Sequence, residues 1–182
     1  MNRIIIFVIV SIPITIISWR TLYKIKSHGF FRYFSWECIV WLFVSNYRYW
    51  FDNPLSITQL FSWSLLFVSG YLVIAGMMKL KEKGKQERNS NRKTLYPFEQ
   101  TTELIETGIY KYVRHPLYSS LLFLTWGIFL KNTTIELLVV TILSSTFLYL
   151  TAIFDEKECI IFFGDKYTEY MKRSKRFLPY IL

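Results

Sequence analysis

Hydrophobic residues fall into five blocks separated by polar, mostly basic stretches. The blocks run from about Ile4 to Trp19, Tyr33 to Trp50, Ile57 to Met78, Leu117 to Leu130 and Thr134 to Phe154. Crossing the hydrocarbon of a bilayer takes on the order of 20 helical residues. The pattern therefore predicts an all-α, polytopic membrane protein with five transmembrane helices. The first and fourth blocks are short and need flanking residues to span. Pro13 lies inside the first block and predicts a kink, which membrane helices tolerate. Only Arg3 precedes that block and no small-residue cleavage pattern follows it, so it is read as retained. No internal repeat and no Gly-x-x-x-Gly pair occurs.

Charge sets the orientation. With the N-terminus outside and the C-terminus cytoplasmic, 19 of the 22 lysines and arginines fall on inner segments. The positive-inside rule demands this arrangement, and the reverse topology violates it. The same rule accounts for the net charge of +9 and removes the need for a nucleic-acid partner. Lys79 to Lys93 is the most polar linker and reads as a solvated loop against anionic lipid. The 182 residues make one domain, with three N-terminal spans in 1–79 and a hairpin with a C-terminal tail in 94–182. Cys38 and Cys159 form neither a metal pattern nor a disulfide framework, and no metal site is expected.

Candidate chemistry collects at two places. Residues 108–118 read Gly-Ile-Tyr-Lys-Tyr-Val-Arg-His-Pro-Leu-Tyr and open the fourth block. Proline suits the first position of a helix, so a helix is predicted from Pro116, with Arg114 and His115 at its edge. Free backbone N–H groups and the positive dipole end gather there, which suits an anion. Asp155 and Glu156 close the fifth block. Adjacent residues on a helix point about 100° apart, so one carboxylate can face the bundle while the other meets water. An inward carboxylate suits an ammonium or a sulfonium-bearing ligand. If the fourth and fifth blocks form a hairpin, both polar sets meet at the cytoplasmic membrane face as a cofactor pocket.

Other residues read more plainly. Glu37 falls near the cytoplasmic end of its block and reads as a snorkelling carboxylate. Tyr167 and Tyr170 share a helix face, as packing residues do. Arg173, Arg176, Phe177 and Pro179 read as a basic, aromatic tail on the membrane surface. Gly-x-Gly-x-x-Gly does not occur, so any nucleotide-bearing cofactor has to bind the hairpin and its loops.

The ordered set from Leu104 through Tyr118, then Gly127, Asp155-Glu156, Phe163-Gly164, Tyr167, Tyr170 and Arg176-Phe177-Leu178-Pro179 resembles the isoprenylcysteine carboxyl methyltransferase and phospholipid methyltransferase superfamily. Its members are integral membrane enzymes that use S-adenosylmethionine. The resemblance covers roughly residues 94–180. It implies that Tyr110, His115, Pro116 and Tyr118 contact the cofactor, with the backbone of Glu103, Leu104 and Ile105 helping. It implies that Asp155 holds the cofactor's amino group, with Glu156 next in line because the family pattern is Glu-Glu. Arg114 and Glu156 are the candidates for a catalytic part. The acceptor implied is a lipophilic molecule or lipidated substrate reached from the membrane lipids. Many members carry an arginine one turn before the acidic pair, where this chain has Thr151. Two other readings stand beside it: an NADPH-dependent sterol-type reductase, whose family shows a similar Arg-His-Pro turn and a tyrosine-rich C-terminal motif, and a non-catalytic membrane adaptor.

Overall fold

A computed structural model describes residues 2–83 and 103–179. Beyond residue 83, the expected polar linker lies outside the described residues. The described residues form α1 (Arg3–Leu22), α2 (His28–Asn46), α3 (Ile57–Lys83), α4 (Pro116–Phe129), α5 (Ile135–Phe163) and α6 (Asp165–Arg173). Short 3-10 turns cover Tyr47–Tyr49 and Gly108–Lys111. No named strand occurs among the described residues.

Each of the five apolar blocks forms a helix, but with shifted ends. The side chain of Asn2 caps α1, which runs unbroken through Pro13 for 20 residues. Ser27 caps α2 and starts it five residues before the apolar block begins. Thr134 caps α5, which continues nine residues past Phe154. Among the described residues, three helices are long and apolar enough to cross a membrane: Arg3–Leu22, Ile57–Glu82 and Ile135–Phe163. Helix α4 is apolar but shorter, and α2 carries Arg32 and Glu37. The outer faces of α1 and α3 expose large apolar side chains, including Ile9, Ile16, Phe67 and Ile74, as a lipid-facing surface does.

Helix α3 packs on α4, α2 on α5, α1 on α2, and α4 on α5. Small polar side chains cross these contacts. Ser35 Oγ meets Ser144 Oγ at 3.0 Å, and Asn46 Nδ2 donates to the Ile128 carbonyl at 2.7 Å. Ser62 Oγ donates to the Gly127 carbonyl at 2.7 Å, and Ser69 Oγ to the Ser120 carbonyl at 2.8 Å. Such residues let helices approach closely where lipid removes the hydrophobic drive between them. The apolar core of Ile39, Leu42, Ile128, Phe129 and Leu137 lies towards the end of the bundle away from the acidic pair.

Candidate active site

The hairpin of α4 and α5 brings the two polar sets together. Gly108 starts the approach: its φ of +63° is the left-handed region, and an added Cβ would meet the Lys79 side chain at 2.9 Å. The 3-10 turn that follows places Tyr110 inward. Pro116 then opens α4, with His115 as its N-cap. Gly164 makes the second bend, between α5 and α6, with φ 60° and ψ −137°. That conformation is close to glycine-only. It folds α6 back so that Tyr167 and Tyr170 turn inward, each 3% exposed. Tyr170 Oη donates to the Tyr110 carbonyl at 2.6 Å.

The tail beyond α6 is stitched to the start of α4. Lys175 N donates to the Tyr112 carbonyl at 2.9 Å, Arg114 N to the Lys175 carbonyl at 2.7 Å, and His115 N to the Arg176 carbonyl at 3.2 Å. Ser119 Oγ donates to the Phe177 carbonyl at 2.8 Å. Beneath this short parallel pairing lies an ion-pair network. Arg114 Nε donates to Glu156 Oε1 at 3.0 Å, and Arg176 Nη2 to Glu156 Oε2 at 2.7 Å. Arg114 also donates to the carbonyls of Met171 and Ser174. The Glu156 and Arg114 side chains are only 5% and 8% exposed. A buried carboxylate between two guanidiniums needs this many hydrogen bonds to offset the cost of leaving water.

Asp155 points elsewhere. Its Oδ2 accepts from Tyr118 Oη at 3.1 Å and stands 3.5 Å from His115 Nδ1. The other His115 nitrogen, Nε2, stands 3.4 Å from Glu156 Oε1 but is not aligned as a hydrogen bond. The His115 ring stacks on Tyr118 with centroids 5.3 Å apart. These groups line a recess of about 750 Å³, including its open mouth. Leu104, Ile105, Tyr110, Arg114, His115, Pro116, Tyr118 and Asp155 contribute to its wall. Burial pushes the phenols of Tyr167 and Tyr170 above their usual range.

The sequence expectations divide here. Glu103 is exposed and does not line the recess, and neither does Glu156. The acidic pair does not split between bundle and water: the Asp155 side chain is 18% exposed and that of Glu156 5%. Helix α5 runs two turns beyond them, so they do not end the helix. Arg176 joins the buried network rather than the membrane surface, while the exposed Arg173 pairs with Glu106 at 2.7 Å. Leu117, Cys159, Phe163, Tyr167 and Tyr170 line the recess within the stretches 102–118 and 155–170 expected to form it, though without having been named individually, and Leu80 lines it from outside them. The three-residue spacing of the two tyrosines was one available signal. Cys159 carried another, lying one turn beyond Asp155 on the same face, with its Sγ 3.8 Å from Asp155 Oδ1.

The family model described as phospholipid methyltransferase matches residues 57–165, which cover α3, α4 and α5. The chain belongs to the phospholipid methyltransferase family, within the wider superfamily of membrane methyltransferases. A curated relative, the methanethiol S-methyltransferase of Pseudomonas deceptionensis, is 32% identical over 71 residues. That match covers 39% of this chain and 26% of the relative, so the chain spans about a quarter of that relative's length. No solved structure matches the chain. The reductase and adaptor alternatives are not favoured by these matches.

Proposed function

We propose that the protein transfers a methyl group from S-adenosylmethionine to a lipophilic acceptor held in the membrane. The observation that carries this reading is the meeting of His115 and Asp155 on one aromatic-walled recess at the end of the α4–α5 hairpin. The residues suit a zwitterionic sulfonium. Asp155 offers a carboxylate to an ammonium, and Tyr118 fixes its orientation. The first N–H groups of α4 offer donors to a carboxylate. Tyr110, Tyr118, Phe163, Tyr167 and Tyr170 offer ring faces to a purine and to a sulfonium. Arg114 and Glu156 serve as positioning residues, since each is engaged by the other and by the tail. This departs from the catalytic part expected of them from sequence.

Held by Asp155, the start of α4 and the aromatic wall, S-adenosylmethionine would supply an electrophilic sulfonium methyl, with the C–S electron pair returning to sulfur as the acceptor's lone pair takes the methyl and the acceptor's proton leaving to solvent. The chain's work is to hold donor and acceptor in line and keep water out. The recess wall stitched by 112–115 and 174–177 does the holding. The favoured acceptor is a thiol or an amine rather than a carboxylate. Thr151 is fully buried and turned back onto the Phe147 carbonyl at 2.7 Å, so it offers no charge to an acid. The relative's name, a thiol methyltransferase, points the same way.

In this reading all five apolar helices span, with the N-terminus outside and the recess at the cytoplasmic face, where the donor is dissolved. The test is incubation of the purified protein with radiolabelled S-adenosylmethionine and membrane lipid extract or alkyl thiols. Label appearing in the organic phase, and lost in His115→Ala, supports the proposal. No transfer to any lipophilic thiol, amine or hydroxyl compound contradicts it.

A further inference from the structure

Away from the recess, a second hollow opens between α1 and α2. It encloses about 1270 Å³ including its open side, and its walls are mostly apolar, among them Phe7, Ile12, Trp19 and Phe34. Four polar side chains interrupt those walls in a regular way. Glu37 Oε2 accepts from Ser11 Oγ at 2.5 Å, and Thr15 Oγ1 meets Tyr33 Oη at 3.0 Å. Ser11 and Thr15 lie four apart on α1, and Tyr33 and Glu37 four apart on α2. The two pairs are therefore rungs of one ladder, about 6 Å apart along the groove.

Glu37 is not a snorkelling end residue. It lies nine residues from each end of α2, so roughly 13 Å of helix separates it from either terminus. A carboxyl group at that depth is costly and calls for partners. Ser11 supplies one, but Glu37 Oε1 is buried with no hydrogen-bond partner. The last torsion of a glutamate is soft, so either oxygen can be turned to the groove.

We propose that this groove binds an uncharged single-chain amphiphile whose terminal hydroxyl sits between the two rungs. The hydroxyl donates to Glu37 Oε1 and accepts from Tyr33 Oη, which turns its proton away from Thr15 Oγ1, since Thr15 gives its own to the Ser11 carbonyl at 2.9 Å; the hydrocarbon lies along Phe7, Ile12 and Phe34. A hydroxyl both donates and accepts, which matches the mixed ladder, and it carries no charge into an apolar wall. This site is separate from the methyl-donor recess. Phe31 stacks on Phe154 with centroids 4.9 Å apart, which sets the level of the acidic pair on α2. Glu37 lies six residues further along, about 9 Å deeper. The site does not depend on the methyltransferase reading.

The experiment is photolabelling of the full chain in detergent with a long-chain alcohol carrying a diazirine. The matching alkane and primary amine serve as controls, with labelled peptides mapped by mass spectrometry. The alcohol is expected to label residues 7–19 and 33–37 saturably, and unlabelled alcohol to compete. Glu37→Leu should weaken labelling roughly tenfold, while Glu37→Gln, which keeps an acceptor oxygen, should retain most of it. If Glu37→Leu does not fold, Ile12→Trp fills the groove instead and should block labelling. Equal labelling by the alkane would overturn the proposal, since the groove would then be a crevice for any lipid tail. So would tighter labelling by the amine, or a protection of the groove that tracks a dimer of this chain.

Discussion

His115 Nδ1 stands 3.5 Å from Asp155 Oδ2, although forty residues of chain separate them. The gap exceeds a good hydrogen bond, so neither group uses up the other. Both face the same recess. Glu156, the next residue, has both oxygens taken by arginines. Two neighbouring carboxylates thus have different surroundings: one faces the recess, the other ties down the tail.

Tyr118 holds Asp155 in place through its hydroxyl at 3.1 Å. Tyr118→Phe removes that bond and keeps the ring. Binding of S-adenosylhomocysteine is expected to weaken by roughly threefold to tenfold, about the worth of one ordinary hydrogen bond, since the lost bond orients Asp155 rather than touching the ligand. Thermal stability should stay near that of the parent chain. Calorimetric titration beside a melting curve checks both.

Glu156→Gln should act on stability first. It leaves two guanidiniums beside a neutral amide in a site where the glutamate side chain is 5% exposed. The expected loss is about 3 kcal/mol, in line with breaking a buried pair. The tail should loosen with it. Hydrogen exchange at 174–177 should rise more than at the α2–α5 contact. Equal change everywhere would speak against a local tie.

Gly164→Ala puts a Cβ on a backbone with φ 60° and ψ −137°. No neighbour lies within 4 Å of that Cβ, so the cost comes from the backbone alone. About 1–2 kcal/mol is expected. Because α6 hangs from this bend, Tyr170 should lose its bond to the Tyr110 carbonyl, and donor binding should fall as well. A melt and a titration on the same preparation test this.

His28 gives a pH dependence. It opens α2 before the apolar stretch begins, fully buried, with Nδ1 3.0 Å from Glu158 Oε1. Burial alone would pull its pKa down, but the Glu158 contact and the Asp155 charge outweigh this and raise it above 6.5. A histidine raised in the folded state adds stability below its unfolded pKa, near 6.5, and loses it as pH climbs through the folded value. The melting temperature should therefore fall as pH rises from about 6 towards 8. Glu158→Gln should flatten that slope. An unchanged slope in the variant would contradict the assignment.

Much of the helical fold was legible because the length of an apolar block follows directly from bilayer physics. Helix ends were not, since capping by Asn2, Ser27 and Thr134 lies outside hydropathy. The start of α4 was readable from Pro116, whose ring suits that one position. The tail was misjudged because Arg176 and Phe177 look alike whether they meet lipid headgroups or a buried glutamate. Only the positive φ of Gly164 and the pairing of 112–115 with 174–176 turn them inward. Glu37 was placed at a helix end because the apolar block was counted from Tyr33, whereas Ser27 starts the helix earlier.

The most direct measurement of the central claim is calorimetric titration of the purified chain with S-adenosylhomocysteine, the donor's demethylated product. Saturable binding is predicted, weakened about tenfold or more in both His115→Ala and Asp155→Asn, with both variants still folded. Absence of binding to the parent chain at millimolar ligand, or binding indifferent to both substitutions, would contradict a donor site at these two residues.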